Sequence, residues 1–122
     1  MSAVPKVLLV EDQFELRDLL CDVLQDMGMD VRTADDGQAA MRILETWSCD
    51  VLFSDIHMPG PVDGIGLAAH LLAARPLARV ILASGHPRTQ LPALPAGIRF
   101  LQKPFRLVQF TELIREAQLA SA

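Results

Sequence analysis

Three runs in the chain are almost wholly apolar, with no polar face, and each stops at a polar residue. Val7-Leu8-Leu9-Val10 runs into Glu11-Asp12, Val51-Leu52-Phe53-Ser54 into Asp55, and Val80-Ile81-Leu82-Ala83 into Ser84-Gly85. Runs this short and this rich in β-branched residues predict strands buried on both faces of a parallel sheet. Pro59 and Gly60 soon after Asp55 cannot continue a regular element, so that strand ends at its acid. Two further strands are predicted, Asp30 to Ala34 and Ile98 to Gln102, the latter ending at Lys103-Pro104.

Between the strands the period changes to three and four. Leu16, Leu19, Leu20, Val23, Leu24 and Met27 define one amphipathic helix, with Asp12 as its expected N-cap and Gly28 as its stop. The turn Asp35-Asp36-Gly37 leads to a second helix facing inward through Ala39, Ala40, Ile43, Leu44 and Trp47. Ile65 to Ala74 forms a third, closed by Arg75-Pro76, and Leu107, Phe110, Leu113, Ile114 and Ala117 define the last. Pro87, Pro92 and Pro95 punctuate the stretch after Ser84; each interior proline costs a helix about 3 kcal/mol, so at most one turn is expected there.

Strands alternating with helices predict an α/β fold: a three-layer, doubly wound, five-stranded parallel sheet in the flavodoxin-like order 2-1-3-4-5, with a short or irregular fourth helix. At 122 residues the chain is expected to be one domain over residues 1–122. Its net charge of −4 and lack of a Lys/Arg cluster argue against direct nucleic-acid binding. The longest apolar stretch, Ile65 to Ala74, is far below the ~20 residues of a membrane helix, and no apolar signal region precedes Lys6. Cys21 and Cys49 stand apart without metal spacing and read as reduced thiols of a cytoplasmic protein.

In doubly wound sheets, ligands bind beyond the carboxyl ends of the strands where strand order reverses. Glu11, Asp12, Asp55, Ser84 and Lys103 all fall there. Two like charges ~4 Å apart repel by about 4 kcal/mol at an effective dielectric of ~20, so three converging acids require cations. Lys103 supplies one charge and Mg²⁺, which favours a few carboxylates, waters and a phosphate, supplies the rest. A carboxylate, a lysine, a hydroxyl and Mg²⁺ in one shallow site suit phosphoryl transfer to Asp55, with Lys103 neutralising charge and Ser84 donating to a phosphoryl oxygen.

Val-Leu-Leu-Val-Glu-Asp, Ser-Asp-Ile-His-Met-Pro-Gly, Ala-Ser-Gly and Leu-Gln-Lys-Pro-Phe, in that order at strand ends, resemble the motifs of a response-regulator receiver domain of two-component signalling, CheY-like, over Lys6 to about Leu119. The resemblance implies that Asp55 accepts phosphate from a phosphohistidine on a sensor histidine kinase or histidine phosphotransfer protein. It implies a Mg²⁺ set of Asp12, Asp55 and the backbone carbonyl of His57, with Glu11 acting through water. A receiver of this kind catalyses its own phosphorylation and dephosphorylation. Phe100 matches the aromatic that follows Ser84 inward on phosphorylation, here without a hydroxyl, and His57 and His86 match positions that tune phosphate hydrolysis. The Met58 to Gly64 loop is one residue longer than the commonest receiver version. Only nineteen positions separate Ser84 from Lys103, fewer than is usual.

Two other classes compete. A pseudo-receiver that never takes phosphate would lack one or more site residues, and none is missing. A flavodoxin-like carrier would need a phosphate loop after the first strand, where this chain has acids instead. The chain reads either as a stand-alone regulator or as a domain of a hybrid kinase, and Met1 and the short tail Ala120-Ser121-Ala122 lean slightly to the former.

Overall fold

The computed structural model describes residues 4–120, and Met1 and the Ser121-Ala122 tail lie outside them. Five strands, β1 (Lys6–Val10), β2 (Asp30–Ala34), β3 (Val51–Asp55), β4 (Arg79–Ser84) and β5 (Arg99–Gln102), alternate with four helices, α1 (Phe14–Asp26), α2 (Gly37–Thr46), α3 (Gly64–Ala74) and α4 (Leu107–Ala120). All strand pairs are parallel and the sheet order is β2-β1-β3-β4-β5, the order expected from the alternation of elements.

The apolar strands are buried on both faces because successive side chains alternate between two cores. Leu8, Val10, Leu52, Val80 and Leu82 pack with Ala40, Trp47, Leu67 and Leu71 on the α2/α3 side. Val7, Leu9, Val51, Phe53 and Ile81 pack with Leu20, Leu24, Phe110 and Ile114 on the α1/α4 side. There Phe53 meets Phe110 edge-to-face with ring centroids 4.9 Å apart, a favoured aromatic geometry.

Two details of α1 differ from the sequence expectation. Its N-cap is Gln13, whose side chain makes no capping bond, so Asp12 does not cap the helix. Leu19 also points outward at 51% exposure, since its position falls off the stripe set by Leu20 and Leu24. Gly28, at φ 85°, ends the helix as expected, in a conformation a Cβ would disfavour.

Between β4 and β5 the only helical piece is a single 3₁₀ turn, Arg88–Gln90. The prolines remove the donors a longer helix would need. Leu91, Leu94 and Ile98 are half-buried against the α2/α3-side core, and the backbone bonds of the stretch are the two closing the turn and Ile98 N–H to the Pro95 carbonyl. Amides from Thr89 to Ala96 should therefore exchange faster than those of α3 or α4. Protection there equal to that of α4 would contradict this reading of the segment.

Candidate functional site

The carboxyl ends of β1, β3, β4 and β5 meet at one edge of the sheet. β1, β3 and β5 each hand their next residue to a neighbour through one further rung. Glu11 N–H donates to the Ala34 carbonyl, Ile56 N–H to Ala83, and Lys103 N–H to Ser84, at 3.1, 2.9 and 2.8 Å. These rungs extend the backbone pairing one residue past each of the three strands, to Glu11, Ile56 and Lys103.

Carboxylate oxygens of Glu11, Asp12 and Asp55 all lie within 4.8 Å of one another. Glu11 and Asp55 are buried and Asp12 is exposed, so the cluster opens to solvent on the Asp12 side. Lys103 Nζ lies 2.7 Å from Glu11 Oε1 and 2.7 Å from Asp55 Oδ1. The other Glu11 oxygen accepts the Gln13 N–H at 3.0 Å, which ties that carboxylate down from both sides.

One lysine does not balance three acids, and the two buried carboxylates shift in opposite directions. Burial, and then the neighbouring Glu11, push Asp55 up to about 8, although Lys103 pulls the other way. Glu11 is also raised by burial, but its bonds with Asp55, Lys103 and the Gln13 N–H outweigh this and leave it below its ordinary value. Of the pair, Asp55 is therefore the group driven toward its protonated form and Glu11 the one held as a carboxylate. Lys103 is lowered by burial and raised more by hydrogen bonds to Asp55 and Glu11, so it stays charged.

Asp12 and Asp55 offer oxygens to a hard divalent cation on the open side, while Glu11 is engaged with Lys103. This donor set of acidic oxygens fits Mg²⁺, which binds through one or two carboxylates and keeps several waters.

Ser84 is buried, and its Oγ accepts the His86 N–H at 2.9 Å. Phe100 is half-buried on the same face of the sheet as Ser84, since Leu82 and Ser84 pair in register with Phe100 and Gln102. His57 is exposed, two residues beyond Asp55. Every site residue expected from the sequence thus lies at this edge, except that Phe100 sits one side-chain step back along β5.

Two kinds of residue escaped the sequence reading. Gln102 Nε2 donates to the carbonyls of Ser84 and Gly85 at 3.3 and 3.1 Å, clasping the end of β4 to β5, and nothing in its neighbourhood in the chain marks it. Gly37 and Gly64 are the other kind. A Cβ on Gly64 would stand 2.1 Å from the Asp55 carbonyl oxygen, and one on Gly37 would stand 2.3 Å from that of Val62. Gly64 N–H also donates to the Ile56 carbonyl at 2.8 Å, so α3 starts in contact with the backbone that carries the acid. Gly64→Ala should cost about 2–3 kcal/mol, read in a denaturant melt, because only backbone could move to make room. A cost below a few tenths would show that the close approach is relaxed in solution.

The sequence matches the response regulator receiver domain family over residues 7–115, and the chain belongs to that family. It is a receiver domain of two-component signal transduction. It is 35% identical to protein-glutamate methylesterase/protein-glutamine glutaminase 3 of Vibrio cholerae, over 96% of this chain and 35% of that protein. It is 31% identical to the transcriptional regulatory protein FixJ of Bradyrhizobium diazoefficiens, over 96% of this chain and 58% of that protein. The crystal structure of response regulator protein TrrA from Thermotoga maritima, in complex with Mg²⁺-BeF, superposes with a TM-score of 0.81 at 26% identity, covering 93% of this chain and 99% of that one. The chain spans about a quarter to three fifths of the length of the curated relatives it matches. Among the described residues, no helix is long and apolar enough to cross a membrane.

Proposed function

We propose that this domain is a phosphoaccepting switch in which Asp55 takes a phosphoryl group from a phosphohistidine on a sensor histidine kinase or histidine phosphotransfer protein. The observation that carries the reading is the convergence of Glu11, Asp12 and Asp55 at the open edge of the sheet, with Lys103 paired to Glu11 and Asp55. Asp55 is the nucleophile: one carboxylate oxygen forms the new bond to phosphorus as the P–N bond of the donor breaks. Asp12, Asp55 and the His57 backbone carbonyl would hold Mg²⁺, with Glu11 contributing through water. The ion, when bound, neutralises charge on the transferring group. Lys103 pairs with a phosphoryl oxygen from the buried side.

Ser84 then gives up the His86 N–H and turns its hydroxyl to the phosphoryl group. Phe100, on the same face, follows it inward, and the switch is steric because a phenyl ring carries no donor. The domain occupies residues 1–122 and works in the cytoplasm, where kinases supply its phosphate. Binding of Mg²⁺-BeF by the Thermotoga relative supports the metal and the phosphoryl site. Two relatives are transcriptional regulatory proteins, but this domain, with a net charge of −4, makes no direct contact with nucleic acid.

Incubation with a small phosphodonor and Mg²⁺, followed by intact mass, tests the reading. One added phosphoryl group, released by hydroxylamine, is expected. Its absence would leave the pseudo-receiver reading in its place.

A further inference from the structure

The ring centroids of His57 and His86 lie 4.5 Å apart, with the rings inclined at 64°. Both side chains are exposed, and the two come from different loops, each two residues past a buried polar residue at a strand end, Asp55 and Ser84. Their backbones are anchored. Ile56 N–H bonds to the Ala83 carbonyl, tying the first residues beyond β3 to β4, and His86 N–H is held by Ser84 Oγ. Two imidazoles are thus held side by side on fixed stems, facing solvent.

We infer that His57 and His86 form a two-histidine site for a borderline divalent cation such as Zn²⁺, separate from the carboxylate set. A Zn–N bond of about 2.0–2.1 Å puts each ring centre roughly 3.2 Å from the ion, so two rings sharing one ion lie about 4.5–5.2 Å apart for N–Zn–N angles from right-angled to tetrahedral. The observed separation falls at the near end of that range and requires only side-chain rotation. Water fills the remaining positions. Imidazole prefers Zn²⁺, Ni²⁺ or Cu²⁺, whereas the oxygen cluster behind it suits Mg²⁺, so ligand hardness sorts the ions between neighbouring sites.

The site has a consequence for switching, and this part rests on the phosphoacceptor reading. If Ser84 releases the His86 N–H to reach a phosphoryl oxygen, His86 loses its anchor and the pair loosens. A cation bridging His57 and His86 therefore holds the unphosphorylated arrangement, and by linkage a phosphoryl mimic weakens the cation.

Calorimetric titration of ZnCl₂ into the unphosphorylated chain at saturating Mg²⁺ tests the site, because Mg²⁺ occupies the carboxylates. One equivalent is expected, together with a higher melting temperature, and His57→Ala and His86→Ala should each weaken binding by about tenfold or more. An unchanged titration in the His57→Ala, His86→Ala double variant, or no saturable binding, overturns the site. Repeating the titration with beryllofluoride should weaken Zn²⁺ binding; an equal affinity overturns the coupling. The first arm needs no phosphorylation, so failure of the phosphoacceptor reading leaves it intact.

Discussion

Asp55→Asn protein should incorporate no phosphoryl group from a small donor with Mg²⁺, and it should be more stable than the parent when metal is removed. The first outcome follows because an amide cannot serve as the attacking oxygen. The second follows from the charge imbalance at the site. Asp55 is pushed up to about 8 from an ordinary 3.8, so between those values the native state binds more protons than the unfolded chain. The metal-free fold accordingly loses stability as pH rises from about 4 to about 8. Asparagine, nearly isosteric with the protonated acid, removes that dependence. A gain of about 1–3 kcal/mol near neutral pH, several degrees in melting temperature, is expected once mutual screening by Lys103 is allowed for. Glu11 works in the opposite sense: its lowered pKa contributes stability that is lost as pH falls through its native value. Phosphate persisting on the Asp55→Asn protein would move the acceptor elsewhere, and an unchanged pH profile of stability would mean that Asp55 is not the proton holder.

Mg²⁺ should restore, in the parent, the stability that deprotonation removes. An ion that binds the native state alone adds about 2.7 kcal/mol at a hundred times its dissociation constant. Because the cation displaces the proton held between Asp55 and Glu11, its affinity should climb by as much as about tenfold per pH unit below pH ~8, then level off. Chelation should therefore lower the melting temperature little at about pH 6 and clearly at about pH 8. Thermal melts with Mg²⁺ or a chelator across that range check this, and a Mg²⁺ effect that is absent throughout would remove the ion from the site.

Much of this protein is legible from the chain alone. A strand buried on both faces must be apolar at every position, so β1, β3 and β4 announce themselves. The acids and lysine at their ends stand out because each breaks such a run at once. A period of three to four located three of the helices and an Ala/Leu-rich stretch located α3, while three prolines between β4 and β5 limited that stretch to at most one turn, since a missing N–H is a local property.

What the chain could not show is what depends on distance. The sequence presents Asp12 as an N-cap, but the direction of the chain leaving β1 makes Gln13 the cap and leaves Asp12 at the open side of the acid cluster. Gly37 and Gly64 read as ordinary turn residues, whereas both are places where another backbone comes too close for a Cβ. Gln102 has no sequence signal, because its partners, Ser84 and Gly85, lie on a neighbouring strand. The upward shift of Asp55 and the pairing of His57 with His86 are of the same kind. Each arises from groups far apart in the chain whose separation is set only when parallel strands align, and a few ångströms of register decide whether charges repel, share a proton or face a common ion.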